Sequence, residues 1–211
     1  MTIDSHSSTP HTHAGHAVDQ PDPKPEFERL QQAVVTLLEA KGILTAAEIT
    51  AAIANMEGRS PEQGARIVAR AWVDPDFKAT ALADLKTAAA LLGIEANSAP
   101  MFVLLENTAT VHHVVVCTLC SCYPRAILGR PPAWYKSREY RSRLVRDPRS
   151  VLAEFGTVLP EQVELRVVDS TADCRYLVLP CRPADTEDFT EAQLCALVTR
   201  DSMIGVTQLT L

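Results

Sequence analysis

Three of the chain's six cysteines, Cys117, Cys120 and Cys122, fall within six residues, in the stretch Val116-Cys117-Thr118-Leu119-Cys120-Ser121-Cys122-Tyr123-Pro124. Any fold the chain adopts must present this C-x2-C-x-C segment as a tight turn with its sulfurs close together. Cys174, Cys181 and Cys195 are scattered, and the N-terminus lacks the basic-then-apolar layout of a secretory leader. The expectation is a cytosolic protein whose clustered cysteines do local chemistry rather than staple the fold. Three thiols packed so closely would fill a core poorly. Zinc asks for four tetrahedral ligands, and only three sulfurs are local. His112 or His113 would have to supply the fourth, yet the valines that follow read as a strand, which points the two to opposite faces. An iron–sulfur cluster lacks a fourth cysteine nearby, and a redox C-x2-C has no need of Cys122. Another arrangement open to the loop enlists the backbone. With the amides of Ser121 and Cys122 deprotonated, three sulfurs and two nitrogens occupy five corners of an octahedron, which asks for a strongly Lewis-acidic trivalent metal. Spacing alone does not choose among these.

The rest of the chain suits a globular protein. It has 211 residues, 46% hydrophobic and 22% charged, enough for one domain with a sizeable core. No apolar run approaches the ~18–20 residues of a membrane span. A net charge of −6 argues against general nucleic-acid binding. The charge is uneven: residues 121–150 carry a net +6, which reads as a solvated face or as a docking surface for a partner. Residues 1–25, with four prolines and four of the six histidines (His6, His11, His13, His16), read as a disordered tail. Residues 26–95 read as a helical arm, with helices over 26–41, from Thr45 (a Thr-x-x-Glu box with Glu48), from Ser60-Pro61 (with Gln63) and over 74–92. Residues 96–211 read as a mixed α+β domain. Its strands are 101–105, 111–116 and a pair, 163–169 with 175–180, folded about a turn at 170–173. Short helices are expected after Asp147-Pro148 and after Thr190.

The segment 116–124 resembles the metal-binding motif of the nitrile hydratase α subunit in its cobalt form, with Thr118 after the first cysteine and Tyr123-Pro124 after the third. Further stretches resemble that subunit: Ala69-Arg70-Ala71-Trp72-Val73-Asp74-Pro75, Glu106-Asn107-Thr108, Pro131-Pro132-x-Trp134-Tyr135-Lys136, Tyr140-Arg141-x-Arg143 and Arg200-Asp201-Ser202-x-Ile204-Gly205-Val206. The motif is shared with the related subunit of thiocyanate hydrolase. The resemblance implies a four-layered αββα fold behind a helical arm that embraces a separate β subunit, one fused chain or two. It implies one non-corrin Co(III) held by Cys117, Cys120, Cys122 and the amides of Ser121 and Cys122. It also implies sulfinate at Cys120, sulfenate at Cys122, and delivery of cobalt by a small activator protein. The implied activity is hydration of a nitrile to its amide, with Cys122 and Ser121 at the reacting position and Arg175, Asp169 and Tyr123 around them.

Three positions depart from the family. Arg125 stands where Trp is usual, Ala96-Asn97-Ser98-Ala99-Pro100 precedes the Met101 strand where Gln-Gly-Glu is frequent, and Pro180-Cys181-Arg182-Pro183 stands where the family has Pro-Gln-Arg-Pro. Arg125 and Ser98 are therefore the candidate pocket residues. A lost aromatic wall and an added cation favour a bulky polar nitrile, such as the nitrile-bearing nucleoside toyocamycin. They would equally suit thiocyanate, an anion. A non-catalytic paralogue that kept the metal loop is the reading outside enzymology.

Overall fold

The computed structural model describes residues 25–120 and 122–211. The tail expected over 1–25 lies outside them apart from Pro25, and so does Ser121. Five helices come first: α1 (Pro25–Ala40), α2 (Ala46–Glu57), α3 (Pro61–Val73), α4 (Pro75–Ala83) and α5 (Leu85–Leu91). Thr45 and Glu48 close the expected capping box before α2, and Gly42 takes the left-handed conformation behind α1. Two local expectations need correction. The Ser60 hydroxyl makes no cap bond; its carbonyl instead takes the Gln63 N–H at 3.3 Å. The helix expected over 74–92 is two helices, because Asp84 leaves helical geometry (φ −151°, ψ 98°). The Asp84 carboxylate then caps α5 through the N–H groups of Lys86 (3.0 Å) and Thr87 (3.4 Å).

After α5 the chain alternates short elements: β1 (Met101–Glu106), β2 (Val111–Val116), α6 (Arg125–Leu128), α7 (Ala133–Lys136), α8 (Arg138–Leu144), α9 (Pro148–Glu154), β3 (Glu164–Asp169), β4 (Cys174–Leu179), α10 (Glu191–Leu197) and α11 (Arg200–Ile204). The strands do not pair as their order suggests. β1 lies parallel to β4, with Met101 opposite Cys174 and Glu106 opposite Leu179. β2 lies parallel to β3, with Val111 opposite Glu164 and Val116 opposite Asp169. The hairpin expected between 163–169 and 175–180 is absent. At 170–173 the chain steps between sheets: the Ser170 N–H reaches the Val116 carbonyl (2.7 Å), and the Asp173 carbonyl accepts the Met101 N–H (2.9 Å). This arrangement puts apolar residues of both sheets out of water at once, and Val114, Val115, Val116, Leu177, Val178 and Leu179 are all buried.

Helices α4 and α5 pack on β1, β2 contacts β1 and β4, and α9 packs on β3, which gives four layers, α-β-β-α. One apolar cluster runs from Ala65 to Val206, so α3–α5 share a core with everything behind them. Helices α1 and α2 bury no residue, and Phe27, Leu30, Val34 and Leu37 face solvent.

The start of β2 is tied down by side chains. Asn107 donates to His112 Nδ1 (3.2 Å), and His112 Nε2 donates to the Gly205 carbonyl (2.7 Å). The Asn107 oxygen accepts from the His113 backbone N–H (2.7 Å) and lies 3.2 Å from His113 Nδ1. Both histidines are buried and consumed by this network, so neither is directed at the cysteines. Gly205 is needed here. Its φ is +86°, and a Cβ would lie 2.0 Å from the His113 carbonyl oxygen.

Candidate metal centre

β2 ends at Val116, and the turn that follows runs from a buried Cys117 out to the surface at Cys120. Cys117 is buried, Cys122 half-buried and Cys120 exposed, and all six cysteines of the chain are free thiols. The Sγ of Cys120 lies 3.5 Å from that of Cys117 and 3.2 Å from that of Cys122. All three sulfurs lie within 4.8 Å of one another. Burial first, then hydrogen bonds that the Cys122 thiol donates to the sulfurs of Cys120 and Cys117, push the Cys122 thiol up to about 12, with the nearby Arg175 guanidinium opposing. Cys122 alone would therefore resist ionising, and a cation bound beside it would reverse that. Sulfurs at right angles on a metal with bonds of about 2.3 Å lie about 3.2 Å apart, and tetrahedral ones about 3.8 Å. The two separations from Cys120 fall between these values or at the lower one, so the three sulfurs lie close enough to share one metal ion.

Four side chains hold the loop by its backbone. Asp169, opposite Val116 at the end of β3, accepts the Thr118 N–H (3.0 Å) and hydroxyl (2.5 Å). Tyr140 donates to the Val115 carbonyl (2.7 Å). Tyr135 donates to the Cys122 carbonyl (2.7 Å), and Arg141 Nη1 to the Cys120 carbonyl (3.0 Å). Sequence reading named Asp169 but missed Tyr135, Tyr140 and Arg141 as holders of this loop. The only available signal was their place inside motifs that the resemblance had already picked out.

The other candidates are placed as follows. Tyr123 is buried with an unpartnered hydroxyl, and its ring packs edge-on against Tyr135 at 5.0 Å. Arg175 Nη1 donates to the Cys174 carbonyl (3.4 Å), and its Nε is buried without a partner among the described residues. No ion pair joins Arg175 to Asp169 among the described residues; Asp169 holds Thr118 instead. Ser98 and Arg125 come together: the Ser98 hydroxyl accepts the N–H of Ala126 (3.4 Å), next to exposed Arg125 at the start of α6. Ser121 lies outside the described residues. The basic segment 121–150 is partly spent internally, with Arg143 on Glu154 and Arg149 on the carbonyls of Leu159 and Val163.

Comparison with known proteins agrees with this geometry. Residues 25–207 match the family described as nitrile hydratase, alpha chain. The low-molecular-weight cobalt-containing nitrile hydratase subunit alpha of Rhodococcus rhodochrous is 52% identical over 177 residues, 83% of this chain and 86% of that protein. The thiocyanate hydrolase subunit gamma of Thiobacillus thioparus is 44% identical over 192 residues, 86% of this chain and 79% of that protein. Among solved structures, an arginine-to-tryptophan mutant of thiocyanate hydrolase superposes with a TM-score of 0.82 at 42% identity, covering 88% of this chain and 90% of that one.

Proposed function

The chain belongs to the nitrile hydratase alpha-chain family, and from that premise we propose that it is the metal-holding subunit of a cobalt nitrile hydratase, adding water across a C≡N bond to give an amide. The observation that carries this is the convergence of the Cys117, Cys120 and Cys122 sulfurs within 4.8 Å of one another, on one turn. Cobalt(III) bound there would supply Lewis acidity at a position the protein leaves free. The chain's own residues do the rest. The gradient of exposure along the three sulfurs, from buried Cys117 to exposed Cys120, supports oxidation at Cys120 and Cys122 with Cys117 spared, since oxidation follows access. An oxygen carried by Cys122 would take a proton from a water that adds to the nitrile carbon and pass it to the nitrile nitrogen, or would itself add to that carbon, with water then restoring the oxygen on sulfur as the amide leaves. Asp169 keeps Thr118, and with it the turn, in place. Ser121 sits between the last two sulfurs in sequence.

The partner is a separate β subunit, one chain or two, and the exposed apolar residues of α1 suit such a surface. Cobalt arrives through an activator protein. The location is the cytosol, which six free thiols suit. Among the described residues no helix is long and apolar enough to cross a membrane.

Arg125, exposed beside Ser98, supports a bulky polar nitrile, of the nucleoside type, over a small apolar one. The same cation favours thiocyanate as the second reading, alongside the similarity to a thiocyanate hydrolase gamma subunit. The test is co-expression with the partner in cobalt medium and a screen of small, aromatic and nucleoside nitriles and thiocyanate, with wild type and Arg125→Trp. The variant should keep its cobalt and shift preference toward small apolar nitriles by about 10–150-fold, the worth of one charged contact at ~1.5–3 kcal/mol. An unchanged ratio would remove Arg125 from the pocket. Turnover of thiocyanate alone would favour the second reading.

A further inference from the structure

We infer that Arg141 and Tyr135 are positioning residues that set the metal loop by gripping the carbonyls of its second and third cysteines; the inference rests on the metal-site reading above. The Arg141 guanidinium is anchored at one edge, where Nε donates to the Ser137 carbonyl (3.3 Å), and hands the other edge to the Cys120 carbonyl. Ser137 is itself buried and caps α8 through the Tyr140 N–H (3.1 Å), so the anchor is firm. Tyr135 is fully buried. Its ring packs edge-on against Tyr123 at 5.0 Å and Trp134 at 5.9 Å, which fixes the place of its hydroxyl beside the Cys122 carbonyl.

A gripped carbonyl fixes its whole planar peptide. The peptide held by Arg141 carries, on its other side, one of the two amides that the resemblance names as ligands. Charge adds to geometry. Residues 117–124 contain no basic side chain, and a loop with three thiolates gathers negative charge. Arg141 brings a permanent cation to its backbone. The fixed fork of Arg141 is what lets one side chain serve its helix and the loop together, whereas Arg143 and Arg149 are spent on other contacts.

The experiment uses the cobalt-loaded complex with its partner, comparing wild type with Arg141→Leu, Arg141→Lys and Tyr135→Phe. Arg141→Leu should speed cobalt loss to EDTA by about 10–100-fold, the usual effect of removing a group that orients a ligand, and should move the sulfur-to-cobalt charge-transfer band. Arg141→Lys, which keeps the charge and loses the fork, should recover only part of both. Tyr135→Phe, which removes one oxygen and keeps the ring, should change both in the same direction, and it carries the test if Arg141→Leu does not fold. The metal-free melting temperature should stay at the wild-type value in Arg141→Leu. Wild-type loss rates and band positions in Arg141→Leu and Tyr135→Phe would overturn the inference, as would a matching fall in metal-free stability. A wild-type complex without cobalt would instead overturn the metal-site reading on which it stands.

Discussion

Strand β2 is finished differently at its two ends. At the start, His112, His113 and Asn107 satisfy one another and the Gly205 carbonyl, all within this chain. At the far end the chain emerges into a loop with an exposed Cys120 and Leu119 88% exposed. Behind that loop, the Tyr123 hydroxyl and Arg175 Nε are buried without partners among the described residues. Polar groups inside a protein are almost always paired when the fold alone decides. One end of the strand is therefore satisfied within the chain, and the other leaves buried polar groups unpaired beside the cysteine loop.

Substitutions at the two ends should separate these roles. Cys120→Ser should abolish cobalt retention and activity, as read by metal analysis and turnover. It should scarcely move the metal-free melting temperature, because an exposed side chain contributes within about 0.5 kcal/mol. A large fall in metal-free stability would break the comparison. At the other end, Gly205→Ala forces a Cβ onto the His113 carbonyl at a positive φ and should cost about 3 kcal/mol or more, measured by urea unfolding. Whatever fraction still folds should bind cobalt normally.

The smallest effect is that of pH. Burial holds the His112 pKa below its ordinary value, with the hydrogen bond to Gly205 opposing. Burial does the same for His113, helped by the Arg166 guanidinium and by His112 itself, with the Glu106 backbone and Glu164 opposing. The unfolded chain therefore binds protons below about pH 6.5 that the folded chain refuses. Stability is fully present above that pH and declines as pH falls, by at most about 1.4 kcal/mol per pH unit for each histidine. His112→Gln should flatten the slope of metal-free unfolding free energy between pH 7.5 and 5.5. An unchanged slope would mean that the network does not titrate in this range.

These two ends were not equally legible in the sequence. The loop announced itself because its sulfurs are neighbours in the chain, and the Thr45–Glu48 and Thr190–Gln193 boxes because capping is local. Strand pairing was misread for the opposite reason. Alternation marks β3 and β4 as strands but carries no information about partners, and a short turn between them imitates a hairpin. Their true partners precede them by more than fifty residues in the register. Asp84 was read as part of a longer helix because a cap looks like any acidic residue until the backbone turns. The holders of the loop, Tyr135 and Arg141, lie 13 and 21 residues from the carbonyls they grip. No spacing rule reaches that far.

The most direct test of the central claim is cobalt content per chain in the complex purified after co-expression with its partner in cobalt medium. About one cobalt per chain, lost when any of Cys117, Cys120 or Cys122 is replaced, is the predicted result. Zinc bound in tetrahedral geometry in an active complex, or full activity with no metal, would contradict it.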